Sequence, residues 1–420
     1  MKMKYLASTT GSCRACGSKH LIPILSLGEQ YVSNFVDNNY DYKDEEKVPL
    51  ELILCDPNSN GCGLLQLKHT ASRTLLYKQY WFRSGLNETM KMALKDITQK
   101  AEETIKLSPE DMVLDIGCND GTLLRTYKSK AKLIGFEPAN NLIKEAKQGT
   151  DYIINDFFSY NNFKKHFDGL KCKIITSIAM FYDLEDPNSF VNDVVQCLAN
   201  DGIWIIQMAY LDPMLKLNAF DNIGHEHLEY YSLKSLKKLL EKHNLNIFNV
   251  EMNEVYGGSF RVFVKHKNNK LMPISPSVSE LEHNEEEIGL DNKKTYEDFA
   301  KRVTNIKEKI ISFIKTETER GKIVYAYGAS TKGNTLLQYC NLNNSFIKKA
   351  ADRDPIKHGK KTIGTEVPII SEEQARLEKP DYFLILPWHL LEYFKQREKQ
   401  FLDSGGKFIV PLPKFEIVGK

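Results

Sequence analysis

Residues 113–121 read VLDIGCNDG, and the next apolar run, LIGFEP, ends in Glu137 followed by Pro138. A short β-branched run that breaks at two glycines gives a strand, a tight turn and the start of a helix. Glycine has no Cβ, so the backbone N–H groups of such a turn can approach a ligand closely. Gly117 and Gly121 stand four apart, with Asp115 before them and Asp120 between. An acid at the end of the following strand, about 20 residues on, suits two ribose hydroxyls, and Glu137 holds that place. A dinucleotide site asks instead for G-x-G-x-x-G around a pyrophosphate. Carboxylates repel a pyrophosphate but suit a ligand that carries an ammonium and a sulfonium. A buried βαβ unit without a ligand is the plain alternative, and it does not call for the three-part pattern.

The stretch resembles motif I of the class I S-adenosylmethionine (SAM) methyltransferases. Strands and helices alternate from there to about residue 266, through DYIIND, KIITSIAMF, GIWIIQM, LNIFNVEM and SFRVFVKH. That is the pattern of a doubly wound α/β sheet. Residues 71–106 read as helix, and 267–290, with Pro273, Pro276 and the acidic run EHNEEE, read as linker or loop. Phe299, Val303, Ile306, Ile310 and Phe313 recur at helical spacing in a long charged helix over 293–319. A second α/β unit starts at 321, where KIVYAYGAS runs into Gly328 and STKGNTLLQYC opens a helix. The turn YGASTKG is glycine-rich and suited to a phosphate, with Lys332 near the helix N-terminus, but it lacks the P-loop pattern and does not support an ATPase. The expected fold class is α/β: a class I methyltransferase Rossmann-like sheet, a small N-terminal zinc module and a second Rossmann-like α/β domain. The expected divisions are 1–70, 71–270, 271–320 (linker and long helix) and 321–420.

The zinc expectation rests on four cysteines. Cys13 and Cys16 form C-x-x-C, and Cys55 and Cys62 follow in LILCDPNSNGCGLLQL. Two cysteine pairs beside glycines look like the knuckles of a zinc ribbon. The second pair is spaced by six residues, so DPNSNG must form a bulging turn. Free thiols or a redox pair are the alternatives. Four thiolates leave no open position, so such a metal is structural.

The chain has 420 residues, 42% of them hydrophobic and 27% charged, with a net charge of +2. This is ordinary globular composition, without the basic stripe that nucleic-acid binding needs. No apolar run approaches a membrane span. The opening residues, MKMKYLASTTGSC, hold no apolar stretch, so no signal peptide and a reducing cytoplasm are expected.

Acceptor chemistry is expected in FDNIGHEHLEYYS, residues 220–232, after the strand GIWIIQM. His225, Glu226 and His227 stand together beside Tyr230. On extended backbone H-x-H sends both imidazoles to one face and Glu226 to the other. The histidines suit a metal, a structural role, or a general base, because neutral imidazole takes a proton near pH 7. A second candidate is YWFRSGLNETM, 80–90, where the aromatic residues followed by Arg83, Ser84 and Asn87 read as a lid over a pocket, with core packing of Tyr80, Trp81 and Phe82 as the alternative.

With these pieces in order, the chain resembles the three-domain C-methyltransferases of nucleotide-linked deoxysugars over nearly its whole length. The carrying blocks are the four cysteines, DIGCNDG with GFEPA and NDFFS, the HEH segment, GGSFRVFV at 257–264, YGASTKGNTLLQY, and ILPWHL with GGKFIVPLP. The resemblance implies SAM and structural zinc as cofactors. It also implies a nucleotide-diphosphate 4-keto-deoxysugar as substrate, methylated at C3 through an enolate. Asp115, Gly117, Asn119, Gly121, Glu137 and Asp156 are then the SAM residues. His225, Glu226, His227 and Tyr80 are the catalytic candidates. Arg83, Asn87, Tyr230, Gly328, Lys332 and Asn334 are the sugar-nucleotide candidates. The family's tyrosine before H-E-H is Gly224 here, and its histidine after the third strand is replaced by Asp183. Tyr182, Tyr230 and Tyr80 are the alternatives for the phenol. An O-methyltransferase and a non-catalytic SAM- and zinc-binding assembly protein remain as other functions, and the oligomeric state is monomer or homodimer.

Overall fold

The computed structural model describes residues 5–77, 80–86 and 88–420. Seven strands form the central sheet: β1 (Met112–Ile116), β2 (Lys132–Phe136), β3 (Tyr152–Ile154), β4 (Cys172–Ile178), β5 (Leu198–Ala209), β6 (Leu245–Asn253) and β7 (Ser259–His266). They lie in the order β6-β7-β5-β4-β1-β2-β3. Only β7 runs against its neighbours. The central strands are near-continuous Val, Ile and Leu because helices cover both faces of the sheet. Trp204 in β5 is buried and donates its indole N–H to Ser177 Oγ at 3.1 Å. The chain order reverses between β1 and β4, and such a reversal opens a crevice at the carboxyl ends of the strands.

The C-terminal sheet is built the same way. Its strands are β8 (Val324–Tyr327), β9 (Ile347–Asp352), β10 (Ile369–Ser371), β11 (Tyr382–Ile385), β12 (Lys407–Val410) and β13 (Glu416–Val418). Their order is β10-β9-β8-β11-β12-β13, so a second reversal lies between β8 and β11, at the turns after Tyr327 and Ile385.

The N-terminal module binds both sheets together. Leu21–Gln30, Val48–Cys55 and Leu65–Leu67 form a sheet whose fourth strand is Glu229–Tyr230, lent by the HEH segment. Glu229 pairs with Gln66 and Tyr230 with Leu65. Phe35–Asp37 pairs with Lys360–Thr362 of the C-terminal module. The long helix spans Lys293–Glu319, capped by the Asn292 side chain. It buries Phe299, Val303, Ile306 and Ile310 in a core shared by the N- and C-terminal modules. No helix among the described residues is long and apolar enough to cross a membrane.

Two expectations change. The helix expected over 71–106 is two helices, Arg73–Tyr77 and Glu88–Thr104, because side chains elsewhere hold the backbone of Tyr80–Gly85. The segment read as linker contains a helix, Pro276–Glu287. Pro276 is its first residue, where a missing N–H costs nothing, and Ser275 caps it. One acid of its acidic run, Glu285, is buried and accepts the Tyr210 hydroxyl at 2.8 Å.

Candidate active site

A cavity of about 320 Å3 lies where the carboxyl ends of the central strands face the turn after β8. Its floor is the motif I turn. Gly117 has φ +75° and an added Cβ would come to 3.3 Å from Met180 Cγ, so glycine keeps the turn against the loop after β4. Asp115 lines the cavity and accepts the Thr176 hydroxyl at 2.6 Å. Burial pushes its carboxyl up to about 7. Glu137 accepts two backbone N–H groups, from Asn119 and Ala139, both at 2.8 Å. Asp156 accepts the Phe157 N–H at 2.8 Å and Asn162 Nδ2–H at 2.9 Å, and lines the same wall with Phe157 and Phe158.

Gly121 does not line the cavity among the described residues. Its φ is +78° and a Cβ there would come to 2.8 Å from the Ala146 carbonyl, so this glycine serves packing. Asn119 lines the cavity, but its side chain is engaged elsewhere. It accepts the Ser84 N–H at 3.0 Å and donates to the Phe82 carbonyl at 3.0 Å. Asn141 makes the same two-way contact with the backbone of Tyr80, and Asp120 accepts the Gly85 N–H at 2.7 Å. These contacts strap residues 80–86 across the cofactor end, and Tyr80 and Phe82 face inward. The lid alternative therefore holds for them. Trp81 instead donates to Asn34 Oδ1 at 3.0 Å and packs edge-on against Phe35. Arg83 turns away and pairs with Glu145 at 2.9 Å, so its place as a sugar contact is not supported. Asn87 lies outside the described residues.

The HEH segment is a turn, not extended backbone: the His227 N–H bonds the Gly224 carbonyl at 3.0 Å. The alternation argument therefore fails, and the two imidazoles part. His225 is buried and sets Nε2–H on the Val48 carbonyl at 2.9 Å, away from the main cavity. Glu226 and His227 line that cavity together. His227 Nδ1 lies 2.7 Å from the Asn222 carbonyl. A carbonyl only accepts, so Nδ1 carries the hydrogen and Nε2 keeps its lone pair. Burial, with the Lys332 ammonium second, pushes this imidazole down to about 4, so it stays neutral at physiological pH. The Tyr182 ring meets it edge-on at 4.8 Å, and Leu228 N–H bonds the Tyr182 carbonyl at 2.8 Å.

Burial also pushes the Glu226 carboxyl up to about 7, partly offset by Lys332. Its ordinary value is 4.5, so folding favours its protonated form. The stability this contributes is fully present below pH 4.5 and is lost as pH rises through about 7. Wild type is therefore expected to gain unfolding free energy over Glu226→Gln as pH falls across that window. Denaturant titrations from pH 4.5 to 8 check it, and a flat difference contradicts it.

Lys332 and Thr331 enter the cavity from the C-terminal module. Burial lowers the Lys332 ammonium, while Asp221 and Glu226 hold it up. Gly328 does not line the cavity. Its φ is +83° and a Cβ would meet Pro387 at 2.6 Å, so it shapes the turn. Asn334 is buried behind the helix start and also lies off the cavity. Tyr230 lines it and reaches the Asn222 carbonyl at 3.4 Å.

Among the lining residues not singled out from sequence as site residues are Arg73, Tyr77 and Asp183. The Arg73 guanidinium sits 4.7 Å from the centre of the Phe157 ring. Asp183 hydrogen-bonds the Tyr77 hydroxyl, and burial with the Glu226 charge raises its carboxyl. Its Oδ1 is buried with no hydrogen-bond partner among the described residues. Asp183 had a signal, its place just after β4 at the chain reversal; Tyr77 and Arg73 had none.

Cys13, Cys16, Cys55 and Cys62 bring four Sγ atoms within 4.8 Å of one another. The long second spacing closes because Asp56 caps a short 3-10 turn, Pro57–Ser59. Gly61 is then pressed so near Cys55 Sγ that a Cβ would lie 2.6 Å from it. Cys62 N–H points at Cys55 Sγ at 3.2 Å, as in a thiolate knuckle. Four converging sulfurs without a fifth donor fit a closed structural zinc site.

Comparison with known proteins agrees along the chain. A family model described as "Putative zinc binding domain" matches residues 13–77, one described as "Methyltransferase domain" matches 86–250, and one described as "C-methyltransferase C-terminal domain" matches 254–413. The C-methyltransferase NovU of Streptomyces niveus is 30% identical over 424 aligned residues, covering 99% of each chain. Among solved structures, a SAM-dependent methyltransferase from Clostridium acetobutylicum is 16% identical with a TM-score of 0.33, covering 42% of this chain and 92% of its own. The N-methyltransferase NodS of Bradyrhizobium japonicum is 14% identical with a TM-score of 0.33, covering 43% and 97%.

Proposed function

The chain belongs to the C-methyltransferase family, as a SAM-dependent enzyme with structural zinc, and from that premise we propose that its acceptor is a nucleotide-diphosphate-linked 4-keto-deoxysugar, methylated at C3 through an enolate. The observation that carries this reading is His227, which lines the same cavity as the motif I turn and Lys332. Its Nδ1 is tied to the Asn222 carbonyl, so its Nε2 keeps the lone pair.

On this reading Asp115, Gly117, Glu137 and Asp156 hold SAM. Glu137 takes the ribose hydroxyls and Asp156 the adenine edge, between the walls of Phe157 and Phe158. Bound SAM supplies an electrophilic methyl group on a sulfonium. His227 Nε2 removes the C3 proton of the keto sugar. The charge that then develops on the 4-oxygen faces the Lys332 ammonium, and a preorganised donor in a dry cavity lowers the barrier of such a reaction strongly. The strap over residues 80–86 keeps water from the reacting carbon. Tyr77, Tyr80, Tyr182 and Tyr230 line the same cavity. The two chain reversals divide the labour: the central sheet's holds the cofactor, and the turn after β8 reaches the acceptor.

Proton exchange tests the enolate directly. In D2O with S-adenosylhomocysteine in place of SAM, the C3 hydrogen of the keto sugar is expected to wash out without turnover. The exchange is expected to vanish in His227→Gln. Retention of the C3 hydrogen in wild type, under conditions where methylation proceeds, contradicts the enolate.

A further inference from the structure

Beside the main cavity lies a hollow of about 20 Å3, room for one or two non-hydrogen atoms. Glu226, His227, Thr331 and Lys332 line both spaces, so the hollow opens off the reacting end. Two buried side chains that line it have unsatisfied atoms. Asp221 is 4% exposed. One of its oxygens, Oδ2, accepts the Trp388 indole N–H at 2.9 Å, and the other, Oδ1, has no hydrogen-bond partner among the described residues. His225, also 4% exposed, donates from Nε2 to Val48, which leaves a lone pair on Nδ1, and Nδ1 has no hydrogen-bond partner among the described residues either.

Both unsatisfied atoms are acceptors. Burying an acceptor without a donor is costly, so the hollow asks for an O–H group, and Lys332 lines it as a cation able to face that group's oxygen. Gly224 supplies the room. Its φ is not in the left-handed region, and an added Cβ would meet nothing within 4 Å. No backbone constraint requires glycine there; what it provides is space.

We propose that this hollow is a subsite for a hydroxyl-bearing substituent of the acceptor, with Asp221 and His225 accepting from its O–H and Lys332 donating to its oxygen. The acceptor then keeps a hydroxyl where a fully deoxygenated sugar carries hydrogen or a bare methyl. This rests on the nucleotide-sugar reading above.

Matched acceptors test it: nucleotide 4-keto sugars that differ only by a hydroxyl, 6-hydroxy against 6-deoxy and 2-hydroxy against 2-deoxy. In one of the two pairs the hydroxylated member is expected to have a kcat/KM higher by roughly 100-fold or more, because a site built for an O–H rejects the analogue without it. Gly224→Leu fills the hollow, and Asp221→Asn turns one acceptor into a donor. Each is expected to bring the preference down by at least tenfold, with SAM affinity by calorimetry showing that the variants are folded. Equal wild-type rates within both pairs overturn the proposal, since the hollow then holds only water. A preference that survives both folded variants also overturns it. Turnover of no keto sugar at all is a different failure, that of the underlying acceptor reading, and the proposal falls with it.

Discussion

His227→Gln is expected to lower kcat by roughly a hundred- to ten-thousandfold, the range that a positioned general base contributes, while SAM affinity stays within about threefold on the same footing. Glutamine keeps the volume and can still bond the Asn222 carbonyl, but it cannot take a proton. The cofactor contacts come from β1, β2 and the loop after β3, so they are untouched by the change. His225→Gln is the internal control. Its imidazole is bonded to Val48 and lies off the main cavity, beside the small hollow, so its loss is expected to raise the KM of the acceptor and to reduce kcat far less. Single-turnover rates of the two variants, with calorimetric SAM binding, decide the matter. If His227→Gln retains wild-type kcat, the base is another group.

The second large effect concerns the zinc. Cys62→Ser is expected to release the metal and to lower the melting temperature by about 10 °C or more, given the large share of folding free energy that a closed thiolate site supplies. The knuckles are tied to the rest of the molecule: Asn188 donates to the Arg14 and Ala15 carbonyls, at 2.6 and 3.1 Å. The sheet beside them carries Glu229–Tyr230, two residues after His227. Chelation is therefore expected to unfold the N-terminal module and to remove activity only as structure is lost. Melting curves and rates recorded on the same chelated samples check the order. Loss of turnover in a fully folded, metal-free enzyme contradicts a structural role.

The parts legible from sequence were those whose physics is local. A turn with Gly117 between a buried strand and an acid at the end of the next needs no distant partner, and neither do two cysteine pairs. The periodic run from Phe299 to Phe313 marked the long helix for the same reason. Gly121, Gly328 and Asn119 show the limit. Each is conspicuous in the chain, yet Gly121 and Gly328 answer to packing against Ala146 and Pro387, and the Asn119 amide is engaged by backbone that lies 35 and 37 residues upstream. The HEH geometry was not legible because strand alternation applies only to extended backbone, and the segment is a four-residue turn closed by Gly224 and His227. Lys332 was suspected as a pyrophosphate or sugar contact, but nothing in the chain announces that a residue 105 positions after His227 shares its cavity.

The central claim is transfer of a methyl group to carbon on a nucleotide keto sugar. The most direct measurement supplies SAM with a 13C-labelled methyl to a panel of nucleotide 4-keto sugars and reads the product by carbon NMR. The account predicts a new carbon-bound methyl at C3, in the aliphatic region and coupled to a ring carbon. An oxygen-bound methyl, in the methoxy region, would contradict it.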